Sequence, residues 1–136
     1  MIEIFYPVIA LVGLTFAVGV RTYFVRVGAA RARRVRIGDF RYGESANVPG
    51  EVSLPNRNLM NLLEMPVLFY VACIVAYVTG AADGLALALA WLYVTLRLAH
   101  TLVHLTYNNV LHRLAAFAAS NVVLLLLWVR LTILLV

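Results

Sequence analysis

Arg57, Asn61 and Glu64, then Arg97, His100 and His104, and finally Arg113 put charge and hydrogen-bonding capacity inside, or at the mouths of, apolar segments. Hydrocarbon holds no water to solvate such groups. An arginine or carboxylate near the middle of a membrane helix costs about 2.5 to 3.5 kcal/mol on the mildest scale, so such groups face a partner or a cavity. Residues three, four and seven apart share a helix face. Arg57, Asn61 and Glu64 fall at i, i+4 and i+7, while Arg97, His100, His104 and Tyr107 fall at i, i+3, i+7 and i+10, with Tyr93 one turn further out. Each set is a single polar stripe on an otherwise greasy helix. With a rise of about 1.5 Å per residue, Glu64 and His100 lie at similar depth and Arg97 about a turn deeper. One carboxylate cannot balance Arg57, Arg97 and Arg113 together. The surplus of positive charge implies a small anion as guest, and fixed donors in a low-dielectric site would also stabilise negative charge that develops on it. A thiol ligand suits the cluster, because neighbouring guanidinium groups favour the thiolate.

Other chemistries fit less well. His100 and His104 stand at i, i+4 and could form half a metal site, but no thiol or second carboxylate lies near them in sequence. No metal is expected. Ser45, Ser53 and Ser120 stand at no spacing that pairs them with a histidine and a carboxylate, and there is no glycine loop to cradle phosphate. If the chain is an enzyme, the reactive atom is carried by the substrate. For Asn61, Asn121 or Ser120 taken singly, the plainer role is to join helices, at about 0.6 kcal/mol per interhelical hydrogen bond. Pro66, two residues after Glu64, removes a helix hydrogen bond and is expected to kink or open the helix beside the polar stripe.

The elements that hold these residues are set by composition. Hydrophobic residues make up 64% of the chain and charged ones 12%, and mean hydropathy is +0.94. A spanning helix needs about 20 mostly apolar residues. Four stretches have that length, about 4–25, 59–80, 85–107 and 114–136, joined by a basic loop 26–58 and two short turns. The expectation is an all-α integral membrane four-helix bundle in one domain, 1–136. The first stretch is longer than a secretory h-region and carries Glu3 in place of a basic n-region, so it reads as a retained helix. Cys73 has no intrachain partner and reads as a small buried apolar residue.

Arginine counting sets the expected orientation. The first loop carries Arg26, Arg31, Arg33, Arg34, Arg36, Arg41 and Arg57, and the turn between the second and third spans carries only Asp83. The loop and the His112-Arg113 turn are expected inside and both termini outside the cytoplasm, with Arg130 the one dissenting charge. The net charge of +5 then belongs mainly to one membrane face, where topology and anionic lipid explain it. A nucleic-acid partner is not expected, because residues 31–36 offer no aromatic platform. Arginine with no lysine accords with a G+C-rich coding bias, and a bacterial inner membrane is the expected location.

The pattern Arg57-x-x-x-Asn61-x-x-Glu64 followed by Pro66 resembles the second-helix signature of the MAPEG family, membrane-associated proteins in eicosanoid and glutathione metabolism. Arg97-x-x-His100, a polar residue at 104, and Arg113 sixteen positions after Arg97 resemble its third and fourth helices. The resemblance covers essentially the whole chain. It implies a homotrimer with glutathione as cosubstrate, bound between neighbouring subunits near the cytoplasmic side. Arg57, Asn61, Glu64 and His100 would hold the charged ends of the peptide, with Arg97 supporting them and His104 beside them. Arg113 would stabilise the thiolate that attacks an electrophile or peroxide, and Arg21 is a looser match to a first-helix arginine. The chain departs from the family at His104, where a tyrosine is common, at Leu59 and Met60 before the signature asparagine, and at Leu114 and Phe117, which replace a hydroxyl-bearing pair.

Three functions follow as expectations. The first is a glutathione-dependent transferase or peroxidase acting on lipophilic small molecules in the lipid bilayer. The second is a non-catalytic lipid-binding or scaffolding member of the same fold. The third is a small multidrug transporter in which Glu64 exchanges protons for cationic drugs. Against the third stand Arg57, Arg97 and Arg113, which would repel a cation.

Overall fold

Four long apolar runs become four rods side by side, one of them broken at a proline. The structure, a computed structural model, describes residues 1–135. After a short 3-10 turn at Ile2–Ile4, α1 runs Phe5–Arg31, α2 Gly50–Glu64, α3 Pro66–Val78, α4 Gly84–Leu105 and α5 Val110–Leu135. Helices α2 and α3 form one continuous span, giving four helices long and apolar enough to cross a membrane. The protein is an all-helical integral membrane bundle.

The helices outrun their apolar stretches. The hydropathic end of α1 is near Val25, yet the helix continues to Arg31, and α2 starts at Gly50, well before Leu59. Helix continuation depends on backbone hydrogen bonds and propensity, which Arg and Ala satisfy as well as Leu does. The non-helical part of the basic loop is therefore only 32–49, including a 3-10 turn at Ile37–Phe40. α1 ends in a Schellman-type cap, with Arg34 N–H donating to Ala29 O at 2.9 Å and Arg33 left-handed at φ 57°. Val35 and Val48 bury themselves against Ala29 and Val52, which pins the loop to the ends of α1 and α2.

Pro66 opens α3 at its first position and Met65 keeps helical angles (φ −62°, ψ −36°), so the break is a kink and not a loop. Lacking an N–H, Pro66 leaves the carbonyl of Leu62 without its helix partner. Gly80, at φ 75°, then ends the span. Asp83 caps α4 by accepting from Ala86 N–H at 2.9 Å, and it also pairs with Arg130 near the far end of α5. That pair accounts for the dissenting charge: Arg130 ties α5 to the turn before α4. The Ala86 N–H first, and then Arg130, hold the Asp83 carboxyl below its ordinary pKa.

α4 lies along α5 and α1 along α2, with α1 also touching α4. Alanines 72, 76, 86 and 90 are fully buried, and small residues of this kind let backbones approach closely. Phe69 stacks on Tyr93 at 4.6 Å between centroids. Cys73 is free and buried in this core. Large apolar side chains such as Phe16, Phe24, Leu125 and Ile133 cover the outside, as a surface that meets lipid requires.

Candidate functional site

The two polar stripes meet where α2 and the last turns of α4 face the first turns of α5. A cavity of about 270 Å³ lies there, lined by Arg57, Asn61, His100, His104 and Arg113 on its polar side and by Val110, Leu114 and Phe117 on its apolar side. Among the described residues no carboxylate lines it. Two guanidinium groups and two imidazoles around such a space attract an anion, and more strongly so where the walls exclude water.

Arg97 sits deeper. It is fully buried, and its Nη2 donates to both Asn61 O, at 2.8 Å, and Asn61 Oδ1, at 2.6 Å. The side-chain and main-chain oxygens of one residue thus grip the guanidinium one turn before the Pro66 kink. Its Nε and Nη1 find no acceptor in the protein, while its guanidinium carbon lies 5.7 Å from the centre of the Phe117 ring. The Phe117 ring also lies 5.9 Å from that of His100, centre to centre, and lines the cavity.

His100 and His104 are both buried and pack edge to face, 5.5 Å between centroids. Nδ1 of His100 and both ring nitrogens of His104 lack a protein partner. Among the described residues no cluster of His, Cys, Asp and Glu has the makings of a metal site.

Arg113 is aimed by its own turn. Asn108, left-handed at φ 46°, accepts from Arg113 Nη1 at 2.8 Å, and Asn109 caps α5 by accepting from Leu111 and His112 N–H at 3.0 and 3.1 Å. Two adjacent asparagines thus shape the α4–α5 turn and position its cation, each in a role this residue favours. Asn108 carries no chemical signal in the sequence, because it stands in a short polar turn and its role arises only from its contact with Arg113. Asn58, fully buried and accepting from Thr101 Oγ1 at 3.5 Å, is a second polar link between α2 and α4. Its signal was present: Asn58 stands three residues before Asn61, and Thr101 four after Arg97.

Two residues of the expected set lie elsewhere. Glu64 is exposed, lines no part of the cavity and has no ion-pair partner among the described residues. The pairing of opposite charges at matching depth therefore does not form within one chain. Arg97 satisfies itself on Asn61 instead, and Glu64, the last residue of α2, is left exposed. Arg21 is likewise exposed, and its Nη2 reaches Leu105 O at 3.4 Å, so it covers the end of α4 beside the cavity without entering it.

A bundle of four membrane-crossing helices with a cation-lined cavity at one end defines an integral membrane protein. The family model for the MAPEG family matches residues 4–133, and the chain belongs to that family. Its members are typically glutathione-dependent membrane enzymes. No curated protein and no solved structure matches the chain.

Proposed function

We infer that the protein binds glutathione in the cavity between α2, α4 and α5 and uses it as cosubstrate to conjugate or reduce lipophilic molecules delivered through the bilayer. The observation that carries this reading is a cavity whose only ionisable lining groups are Arg57, Arg113, His100 and His104. Glutathione brings two carboxylates against one ammonium, and a thiol, and is thus a net anion that such a lining would balance. The unpartnered polar atoms of the lining fit the same guest: Nδ1 of His100 and both ring nitrogens of His104 have no protein partner.

When bound, glutathione supplies the nucleophilic sulfur. Arg57 and Asn61 at the α2 wall and His100 on α4 hold its charged ends, and Arg97 keeps Asn61 in place. Arg113 has one nitrogen on Asn108; its other donors are free to stabilise the thiolate. His104 stands on the same side, and its two unpartnered nitrogens offer one proton donor there. Leu114 and Phe117 form the dry side, against which an apolar substrate packs.

Glu64 fits this reading as a contribution to a neighbouring copy, since it is charged, exposed and unpaired at the cavity's end of the bundle. In this reading the protein is a homotrimer with sites shared between subunits, its basic loop on the cytoplasmic side of a bacterial inner membrane. The second reading is a binding module without turnover, favoured by the absence of any hydroxyl among the cavity-lining side chains. Glutathione binding to the detergent-solubilised protein, followed by thiolate absorbance and turnover with a model electrophile, tests both. Binding that weakens in Arg57→Ala, with a thiolate signal lost in Arg113→Ala, supports the enzyme. Binding with neither thiolate nor turnover supports the module, and no binding ends both.

A further inference from the structure

The basic loop holds a second cavity, which shares no lining residue with the first. About 350 Å³ in size, it is lined by Arg33, Arg34, Val35, Arg36, Asp39 and Asn47. Asp39 is the one carboxylate there, and it is occupied: it accepts from Arg36 N–H at 2.8 Å and from Ser45 Oγ at 3.1 Å. Arg34 is paired with Glu51. The guanidinium groups of Arg33 and Arg36 have no ion-pair partner among the described residues. Arg33 moreover holds the left-handed cap position (φ 57°) that glycine ordinarily takes, a conformation that a side chain disfavours. A cation placed there against its backbone preference points to a use for the charge.

Directly beside it runs an apolar groove of about 330 Å³ formed by Val27, Ala30, Ile37 and Phe40 and flanked by Arg26 and Arg31. Ile37, next in sequence to Arg36 of the basic cavity, is 88% exposed. From this groove the outer face of α1 continues as one stripe through Phe24, Tyr23, Val20 and Phe16, all exposed, at the i, i+4 and i+7 spacings of a single side. The apolar part of α1, from Ile4 to Val25, is about 33 Å long at 1.5 Å per residue, close to the thickness of a hydrocarbon core. The turns from Arg26 to Arg31, and the loop held to them by Val35, therefore lie at the level of lipid headgroups.

We propose that this loop is a binding site for an anionic phospholipid: Arg33 and Arg36 hold the headgroup phosphate, and an acyl chain follows the Val27–Ile37–Phe40 groove onto the outer face of α1. Charge and shape both select this occupant. Unpaired guanidiniums at headgroup depth match a phosphodiester, and the adjoining channel is lined by carbon and leads toward the bilayer.

The test uses the full-length protein, delipidated in detergent and titrated by native mass spectrometry with phosphatidylglycerol, phosphatidylcholine and glycerol 3-phosphate. Phosphatidylglycerol should bind at least tenfold more tightly than phosphatidylcholine. Arg33→Gln/Arg36→Gln should weaken phosphatidylglycerol about 30-fold, the effect of removing two cations near a membrane surface, with unchanged helical content and elution volume. Ile37→Ser, at an exposed position, should weaken phosphatidylglycerol while leaving glycerol 3-phosphate unaffected. Equal binding of the two lipids, wild-type binding by the double variant, or glycerol 3-phosphate binding as tightly as phosphatidylglycerol would each overturn the proposal. So would a spectrum in which the groove takes no lipid and Ile37→Ser instead breaks up an oligomer, because the occupant would then be a second copy.

Discussion

Arg97 and Asn61 should behave as a unit in which the asparagine matters more for stability than the arginine does. The guanidinium is wholly removed from solvent, and its protein acceptors are the two oxygens of Asn61, at 2.6 and 2.8 Å. Asn61→Ala deletes the shorter bond and leaves the carbonyl. Hydrogen bonds to charged groups are worth about 1.5 to 3 kcal/mol, and with one of two acceptors retained the expected loss is about 2 kcal/mol. Arg97→Met keeps the volume, gives up the two bonds to Asn61 and relieves the desolvation cost of a buried cation that has no acidic partner. Its expected effect on stability is within about 1 kcal/mol of zero, of either sign. In the double variant, Asn61→Ala should then cost less than about 0.5 kcal/mol, giving a coupling energy of about 1.5 to 2 kcal/mol. Equilibrium unfolding in mixed micelles, followed by helical circular dichroism, measures all four corners of the cycle. The same proteins should lose glutathione affinity whenever Arg97 is absent, whatever their stability. Additive effects, or an Asn61→Ala protein as stable as the parent, would refute the idea that Asn61 is what makes the buried cation tolerable.

Further outcomes are expected elsewhere. Asn108→Ala frees Arg113 from its turn and should lower turnover more than glutathione affinity, with Asn108→Asp restoring part of it; steady-state kinetics separates the two, and equal losses of both would argue against a positioning role. Glu64→Gln, at an exposed and unpaired site, should change unfolding by no more than about 0.5 kcal/mol yet weaken glutathione binding if a neighbouring copy uses it; calorimetry and unfolding together decide. Pro66→Ala returns an N–H to the Leu62 carbonyl and straightens the span, so glutathione should bind more weakly to a protein that unfolds no more easily, as titration of both properties would show. The depressed carboxyl of Asp83 contributes stability that is present above its ordinary pKa of 3.8 and lost as pH falls through the lower folded value. Acid unfolding below about pH 4 should therefore be shallower in Asp83→Asn.

Much of the site was legible because helical phase is local. Spacing alone put Arg57 with Asn61 and Arg97 with His100 and His104, and those side chains do converge on one end of the bundle. What phase could not supply was the choice of partner. Glu64 is the one carboxylate on the two stripes, yet Arg97 takes both oxygens of Asn61 and the acid stays exposed. Asn108 and Phe117 shape the cavity through contacts with Arg113, Arg97 and His100, and neither looks chemical in a list of residues. Arg130 is an isolated charge in the sequence, and its partner Asp83 stands 47 residues away, at the turn before α4.

Four membrane-crossing helices, the basic surplus on one connecting loop and the kink at Pro66 follow from the order of residues alone, because hydropathy, charge and the missing proline N–H act along the chain. Which polar groups meet, which stay unpaired and where a guest fits depend on the rotation of each helix about its axis. That rotation is settled by packing among residues distant in sequence, such as Phe69 on Tyr93 and the alanines of α3 and α4, and so only the tertiary structure decided that Asn61 rather than Glu64 answers the buried arginine.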